Sequence, residues 1–330
     1  MSAPLGSLDG GGRAAAPVRP RPRLQLPEPG RFWIRASPRA WPAAAGAWTD
    51  LATGGLGAAS RQPIDLAAWA ALRSDDVWYL PPIEPARSAE RRALAERLLA
   101  GGTPIVWQAL PGDPPPPAGA VAVYDLLPAL LAGELERLSG VAAGATAVWP
   151  LIAGVTDDPG LWRPACERLA AAGATCVQAL ALELSPSDRR LLASHLDERA
   201  FARLFHAPPP PERDFAAVAH GFGLKPFVPR PLPRPPLAGA ANRWLAAALG
   251  LVADLWLRLG RPVGRGQAYY RAMRWLDRSP RDVEALRREG NLGVLTWLDP
   301  ESRRVVEDML EHGRSHLLEE LLAEYVGARP

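Results

Sequence analysis

Cysteine is almost missing from this 330-residue chain: Cys166 and Cys176 are the only two. Their scarcity excludes a disulfide scaffold, a four-cysteine zinc site and a redox Cys-x-x-Cys pair. Lysine is scarcer still, with Lys225 alone among 38 basic residues. Histidine occupies five positions, and only His312 and His316 share a helical face. They lack the glutamate of a zinc-protease signature and have Gly313 between them, so we read a solvated helix end and expect no metal site. Long apolar runs are also lacking. The longest, Trp244 to Leu257, is interrupted by Asp254 and bounded by Arg243 and Arg258, which is too short and too charged to span a bilayer. A P-loop lysine, a Gly-x-Ser-x-Gly elbow and a full dinucleotide-binding fingerprint are absent. The glycine-rich Thr53–Ser60 stretch reads as a flexible loop.

What is plentiful is Pro (37), Gly (30) and arginine, with 12 Trp. We take this excess as a GC-rich coding bias, so the net charge of +3 says little about partners. Hydrophobic residues make up 48% and charged residues 22%, enough for one large domain or two ordinary ones around a well-buried core. Residues 1–30 carry Arg13, Arg19, Arg21 and Arg23 among Gly, Ala and Pro, without the continuous apolar segment of an export signal. Their composition predicts a disordered lead-in and, with the few cysteines, a cytoplasmic protein.

Short apolar runs alternate with helical patterns from Phe32 onward. Runs at Phe32–Ala36, Val77–Leu80, Pro104–Gln108, Val121–Tyr124, Ala147–Ile152 and Thr175–Leu180 lack polar alternation, as strands covered on both faces do. Ala89–Leu99, Leu161–Ala172 and Asp188–Leu204 repeat apolar residues at helical spacing. Ser37-Pro38, Asp158-Pro159 and Ser185-Pro186 each set a capping residue before a proline at the first helical position. Gly102, Gly140 and Gly173 mark helix ends where a left-handed residue is wanted. About six strand–helix units predict an α/β fold over residues 31–236, a partial or complete β/α (TIM-like) barrel ending in a strand at Leu224–Val228. Residues 237–330 read as a helical extension: Asn242–Leu259, Gln267–Leu276, Asp282–Arg288, Glu301–Glu311 and Ser315–Val326.

In such a fold, side chains at the C-terminal strand ends carry the chemistry. Glu84, Asp125 and Glu183 form a candidate carboxylate ring for acid–base work or a hard cation, with Arg35, Gln108 and Gln178 as candidate binding groups. Asp157 and Asp158 read as helix caps, and the two cysteines as buried, inert thiols. Arginines interleaved with Tyr and Trp over Arg265–Arg278 carry the groups that meet single-stranded nucleic acid. Asp277, Asp282 and Glu284 follow closely, and an amphipathic packing helix explains the pattern as well.

Three segments carry a further likeness. They are Val77-Trp-Tyr-Leu-Pro-Pro-Ile-Glu-Pro with Ala89-Glu-Arg-Arg-Ala-Leu-Ala-Glu-Arg-Leu-Leu, Trp149-Pro-Leu-Ile-Ala-Gly-Val-Thr-Asp-Asp, and Ala171-Ala-Gly-Ala-Thr-Cys-Val. Together, from Val77 to Pro231, the chain resembles the radical SAM superfamily, in particular its spore-photoproduct-lyase-like branch. The resemblance implies a β/α barrel and sets Glu84 at the position of that family's acidic residue near the substrate amine. It also implies a [4Fe–4S] cluster on Cys-x3-Cys-x2-Cys, yet the matching stretch Ala36–Ser60 has no cysteine. A cluster needs thiolate ligands, so radical chemistry has no support there. The resulting expectation is a barrel without cofactor, acting as a scaffold for an unidentified protein partner. The alternatives are an enzyme that reuses the barrel mouth for carboxylate- or metal-assisted chemistry on a small-molecule ligand and, third, a nucleic-acid-binding protein using the C-terminal arginines.

Overall fold

The computed structural model describes residues 48–50, 55–57, 78–80, 88–181, 184, 186–193, 196–207, 212–228, 230–234 and 239–327. The strand at Phe32–Ala36, the lead-in at 1–30 and the caps at Ser37 and Ser185 lie outside them, as do Arg35, Glu84 and Glu183. Part of the glycine-rich loop is ordered after all. Trp48–Asp50 (β1) and Gly55–Gly57 (β2) pair antiparallel, with Thr49 opposite Leu56.

The apolar runs become a five-stranded parallel sheet: Trp78–Leu80 (β3), Ile105–Ala109 (β4), Val121–Asp125 (β5), Thr146–Leu151 (β6) and Cys176–Ala181 (β7). Spatial order equals chain order, β3 to β7. No pairing closes this sheet into a barrel among the described residues. The expected last strand is reduced to one parallel bridge between Lys225 and Cys176.

Helices Ser88–Ala100 (α1), Leu127–Leu131 (α2) and Pro159–Ala171 (α3) join successive strands, whereas β4 and β5 are joined by turns alone. Asp158 caps α3 as its position before Pro159 requires, its carboxylate accepting Gly160 N at 2.9 Å. Asp157 is not a helix cap. It accepts Gly154 N inside the turn and pairs with Arg203. After β7 the expected single helix is two, Pro186–Ala193 (α4) and Glu198–His206 (α5), because Asp197 starts a new cap on Ala200 N. Glu212–His220 (α6) follows. Gly102 and Gly173 have the left-handed φ of helix-end glycines; Gly140 does not, and is small because an added Cβ would sit 2.7 Å from Gly112 N.

One face of the sheet meets these helices. Trp149 stacks on Phe215 of α6 at 4.9 Å, Trp162 of α3 meets the same ring edge-on, and both indole N–H groups donate to the Thr156 carbonyl. Such satisfied aromatic pairs fix where helices sit on a sheet. The second hydrophobic cluster lies in Ala240–Arg258 (α7), Val263–Arg278 (α8), Val283–Arg288 (α9), Pro300–His312 (α10) and His316–Tyr325 (α11). Ala216 and Phe227, from before residue 237, belong to this cluster too. No described helix is long and apolar enough to cross a membrane.

A charged node joins the two clusters. Arg258, the last residue of α7, pairs with Asp254 at 2.9 Å and with Glu212, the first residue of α6. Burial works against the Arg258 charge, yet Asp254 and Glu212 together hold it firmly protonated. Burial also raises the Asp254 carboxyl above its ordinary value, against the pull of Arg258. Removing one member of such a set leaves buried charge uncompensated, so Arg258→Met should cost about 3–5 kcal/mol. Urea unfolding followed separately by tryptophan fluorescence and circular dichroism should show the loss, and an unchanged midpoint would contradict this role.

Candidate functional site

The other face of the sheet carries Gln108 and Asp125 at the C-terminal ends of β4 and β5, whereas Gln178, expected at a strand end, lies in the first half of β7 because that strand continues to Ala181. Strand register puts Asp125, Val148 and Gln178 in one row across β5, β6 and β7, with Gln108 opposite Val123, two residues before Asp125. Side chains two apart on a strand share a face, so Gln108, Asp125 and Gln178 all point to one side. All three are buried.

Their polar atoms hold backbone. Gln108 Nε2 donates to Asp125 Oδ2 at 3.2 Å, and Asp125 Oδ1 accepts Leu127 N at 3.0 Å, which fixes the turn into α2. Gln178 Oε1 accepts Val228 N at 3.0 Å, which ties the segment after Lys225 onto the sheet. Gln178 Nε2 is buried without a hydrogen-bond partner among the described residues. The structure thus joins Gln108 to Asp125 and sets Gln178 two strands away, a backbone separation of about 9–10 Å. The expected meeting of Asp125 with Glu84 and Glu183, and of Arg35 with the two glutamines, lies outside the described residues.

Three functional-looking groups escape sequence reasoning. Arg91 of α1 stacks on Trp107 with its guanidinium carbon 3.5 Å from the ring centre. It also donates to the carbonyls of Leu80 and Gln108 at 2.7 and 2.5 Å. Its place in an Arg-Arg pair on a helix otherwise reads as surface charge. Arg230 pairs with Asp277 at 3.0 Å, and Arg243 reaches the same carboxylate at 2.6 Å. Glu212 accepts Ala181 N at 2.9 Å through the oxygen not used by Arg258.

The thiols do not fit the iron–sulfur cluster that the family resemblance implies. The chain has two cysteines where three thiolates are needed, one in α3 and one in β7, and both are buried. Burial pushes the Cys166 thiol up to about 12 and raises that of Cys176 further, with Lys225 pulling the latter the other way. Among the described residues, no group of three or more His, Cys, Asp or Glu side chains is placed to hold a metal ion.

The aromatic–arginine stretch of α8 divides by face. Arg265 pairs with Asp299 at 2.8 Å and Glu301 at 2.5 Å, Tyr269 is buried, and Asp277 turns inward to Arg230 and Arg243. Arg271, Arg274, Trp275 and Arg278, at successive helical-face spacing, are exposed. The three arginines enter no ion pair among the described residues. Trp275 is 59% exposed and stacks on Trp297 at 6.5 Å, with Val294 close by in sequence and 46% exposed.

The chain matches no protein-family model, no curated protein and no solved structure.

Burial pushes the Asp277 carboxyl up, but Arg230 and Arg243 more than offset this and hold it below the ordinary 3.8. The unfolded chain therefore takes up this proton first. The stabilisation is complete above the ordinary aspartate range and is lost as pH falls below 3.8 through the native value. Asp277→Asn should cost about 3–5 kcal/mol at neutral pH and flatten the acid limb of stability against pH in urea titrations. An acid limb identical to that of the unaltered protein would remove Asp277 from this account.

Proposed function

We propose that this protein is a non-catalytic scaffold whose helical region docks an acidic protein partner, carried on an open segment of a radical-SAM-like β/α barrel. The sequential, all-parallel order of β3 to β7 supports the barrel reading, because consecutive strands of a β/α barrel are neighbours. The two buried thiols leave no cluster to drive radical chemistry.

The observation that carries the docking reading is the outward face of α8. A tryptophan 59% exposed, stacked on a second tryptophan and bordered by three arginines without an ion pair among the described residues, has the composition of an interface hot spot. Leaving that indole in water forgoes the burial that aromatic side chains ordinarily gain. A partner with carboxylates around an apolar centre would cover the indole and pair the guanidinium groups together.

A second reading uses the same face. Guanidinium groups and an indole at one-turn spacing also suit single-stranded nucleic acid, by phosphate pairing and base stacking. The absence of an ion pair for Arg271, Arg274 and Arg278 among the described residues favours keeping it.

The test uses the full chain with Trp275→Ala and, separately, Arg271→Glu combined with Arg274→Glu. Affinity capture from the native cell should recover a stoichiometric acidic protein, lost in both variants, with oligothymidylate and oligouridylate unretained at physiological salt. Oligonucleotide retention that falls steeply with salt would transfer the function to the second reading. A partner recovered equally by the unaltered protein and both variants would remove this face from either.

A further inference from the structure

A groove lies between α6 with the segment following it and the α7–α11 pair, next to the start of β7, where Lys225 bridges Cys176. Its volume is about 580 Å³, within the range of about 300–1,000 Å³ typical of small-molecule sites. Leu224, Phe227, Leu251, Leu322, Ala323 and Val326 make its walls apolar. The charged and titratable groups facing it are Lys225, His220 and Glu319.

Lys225 is the only lysine of the chain, and its backbone is fixed to the sheet. Its N–H donates to the Thr175 carbonyl at 3.0 Å and its carbonyl accepts Val177 N at 2.9 Å, while the side chain is exposed. Gly223, at φ +77°, lets the chain reverse from α6 into this position. The same reversal satisfies the end of α6, with Gly223 N donating to the His220 carbonyl and Leu224 N to that of Ala219. Those carbonyls therefore present no bare negative end to the groove. Glu319 on the far wall is paired with Arg314 at 3.6 Å. Lys225 has no such counter-charge among the described residues.

We propose that this groove binds a single-chain amphiphile with a carboxylate head, a long-chain carboxylate, with its tail on the apolar walls and its head at Lys225. Each methylene taken from water onto these walls adds affinity. A lysine stem can cover apolar surface while its ammonium, a compact rotatable donor, follows a head group whose position varies with tail length. An alkylammonium would meet Lys225 with like charge, and an alcohol would leave it uncompensated. The site shares no lining residue with α8 and does not depend on the docking reading.

The test is isothermal titration of the full chain with dodecanoate, dodecanol and dodecyltrimethylammonium below their aggregation concentrations. Dodecanoate should bind saturably at one site. Lys225→Met, at an exposed position, should weaken it about threefold to fivefold, the size expected of a partly exposed ion pair. Ala323→Trp, which fills the groove, should abolish binding with the circular dichroism spectrum unchanged. Hydrogen exchange of the unaltered protein should show dodecanoate protecting 224–227 and α11, a readout that survives even if Ala323→Trp misfolds. Failure to saturate, equal binding of the cationic probe, protection elsewhere, or association only with phosphatidylglycerol vesicles would each overturn the assignment.

Discussion

The carboxylate of Glu212 is the joint on which the two hydrophobic clusters turn. One oxygen accepts Ala181 N at the end of β7, and the other pairs with Arg258 at the end of α7. Glu212 opens α6, where backbone N–H groups give the helix its positive end, and Arg258 closes α7, where carbonyls give the negative end. Each charge thus sits where its own helix favours it before the two meet. Tyr325 and the Glu324 carbonyl then bring in α11 through Arg258 and Arg213. Loss of this joint would loosen α7 and α11 against the sheet, and with them one wall of the Lys225 groove.

Arginine abundance begins as a compositional bias, yet the fold gives individual arginines separate duties. Arg91, Arg230 and Arg258 are buried or nearly so, and each has stacking, carbonyl or carboxylate partners. A guanidinium keeps its charge in every environment, so burial without such partners would be costly. Arg271, Arg274 and Arg278 have solvent instead. The difference lies in where the acids point. Asp277 shares α8 with them but faces the interior, so adjacent residues along the sequence serve opposite surfaces.

Much of the architecture was legible along the chain because burial on both faces leaves unbroken apolar runs. Five of the runs became the strands β3 to β7, and the Asp158-Pro159 pair located the start of α3 to the residue. The bare connection between β4 and β5 and the split at Asp197 were not legible, since proline-rich turns and a single cap compete with periodicity over short distances. The site was legible only as residue types. Gln108, Asp125 and Gln178 could be placed at strand ends, but their partners depend on register and on contacts such as Val228, fifty residues from Gln178. Glu212 and Arg91 gave no signal, because a charged residue on a helix looks solvated until its neighbours are known.

Buried polar groups are costly unless they are hydrogen-bonded, so their positions reveal what the sheet must hold in place. Here Asp125 secures the turn into α2, Gln108 secures Asp125, and Gln178 secures the segment around Val228. At the C-terminal ends of β4 and β5, Gln108 and Asp125 thus serve the chain's own fold, and Gln178 does the same within β7. The N-terminal edge is built differently. There Lys225 uses its main chain to join β7, and among the described residues its side chain has no ion pair at the apolar groove. A group whose backbone is fixed and whose head is unpaired is already organised for a ligand, whereas Asp125 would first have to release the turn that it holds. That asymmetry places binding capacity at the edge of the sheet opposite the one where a barrel-like fold ordinarily carries it.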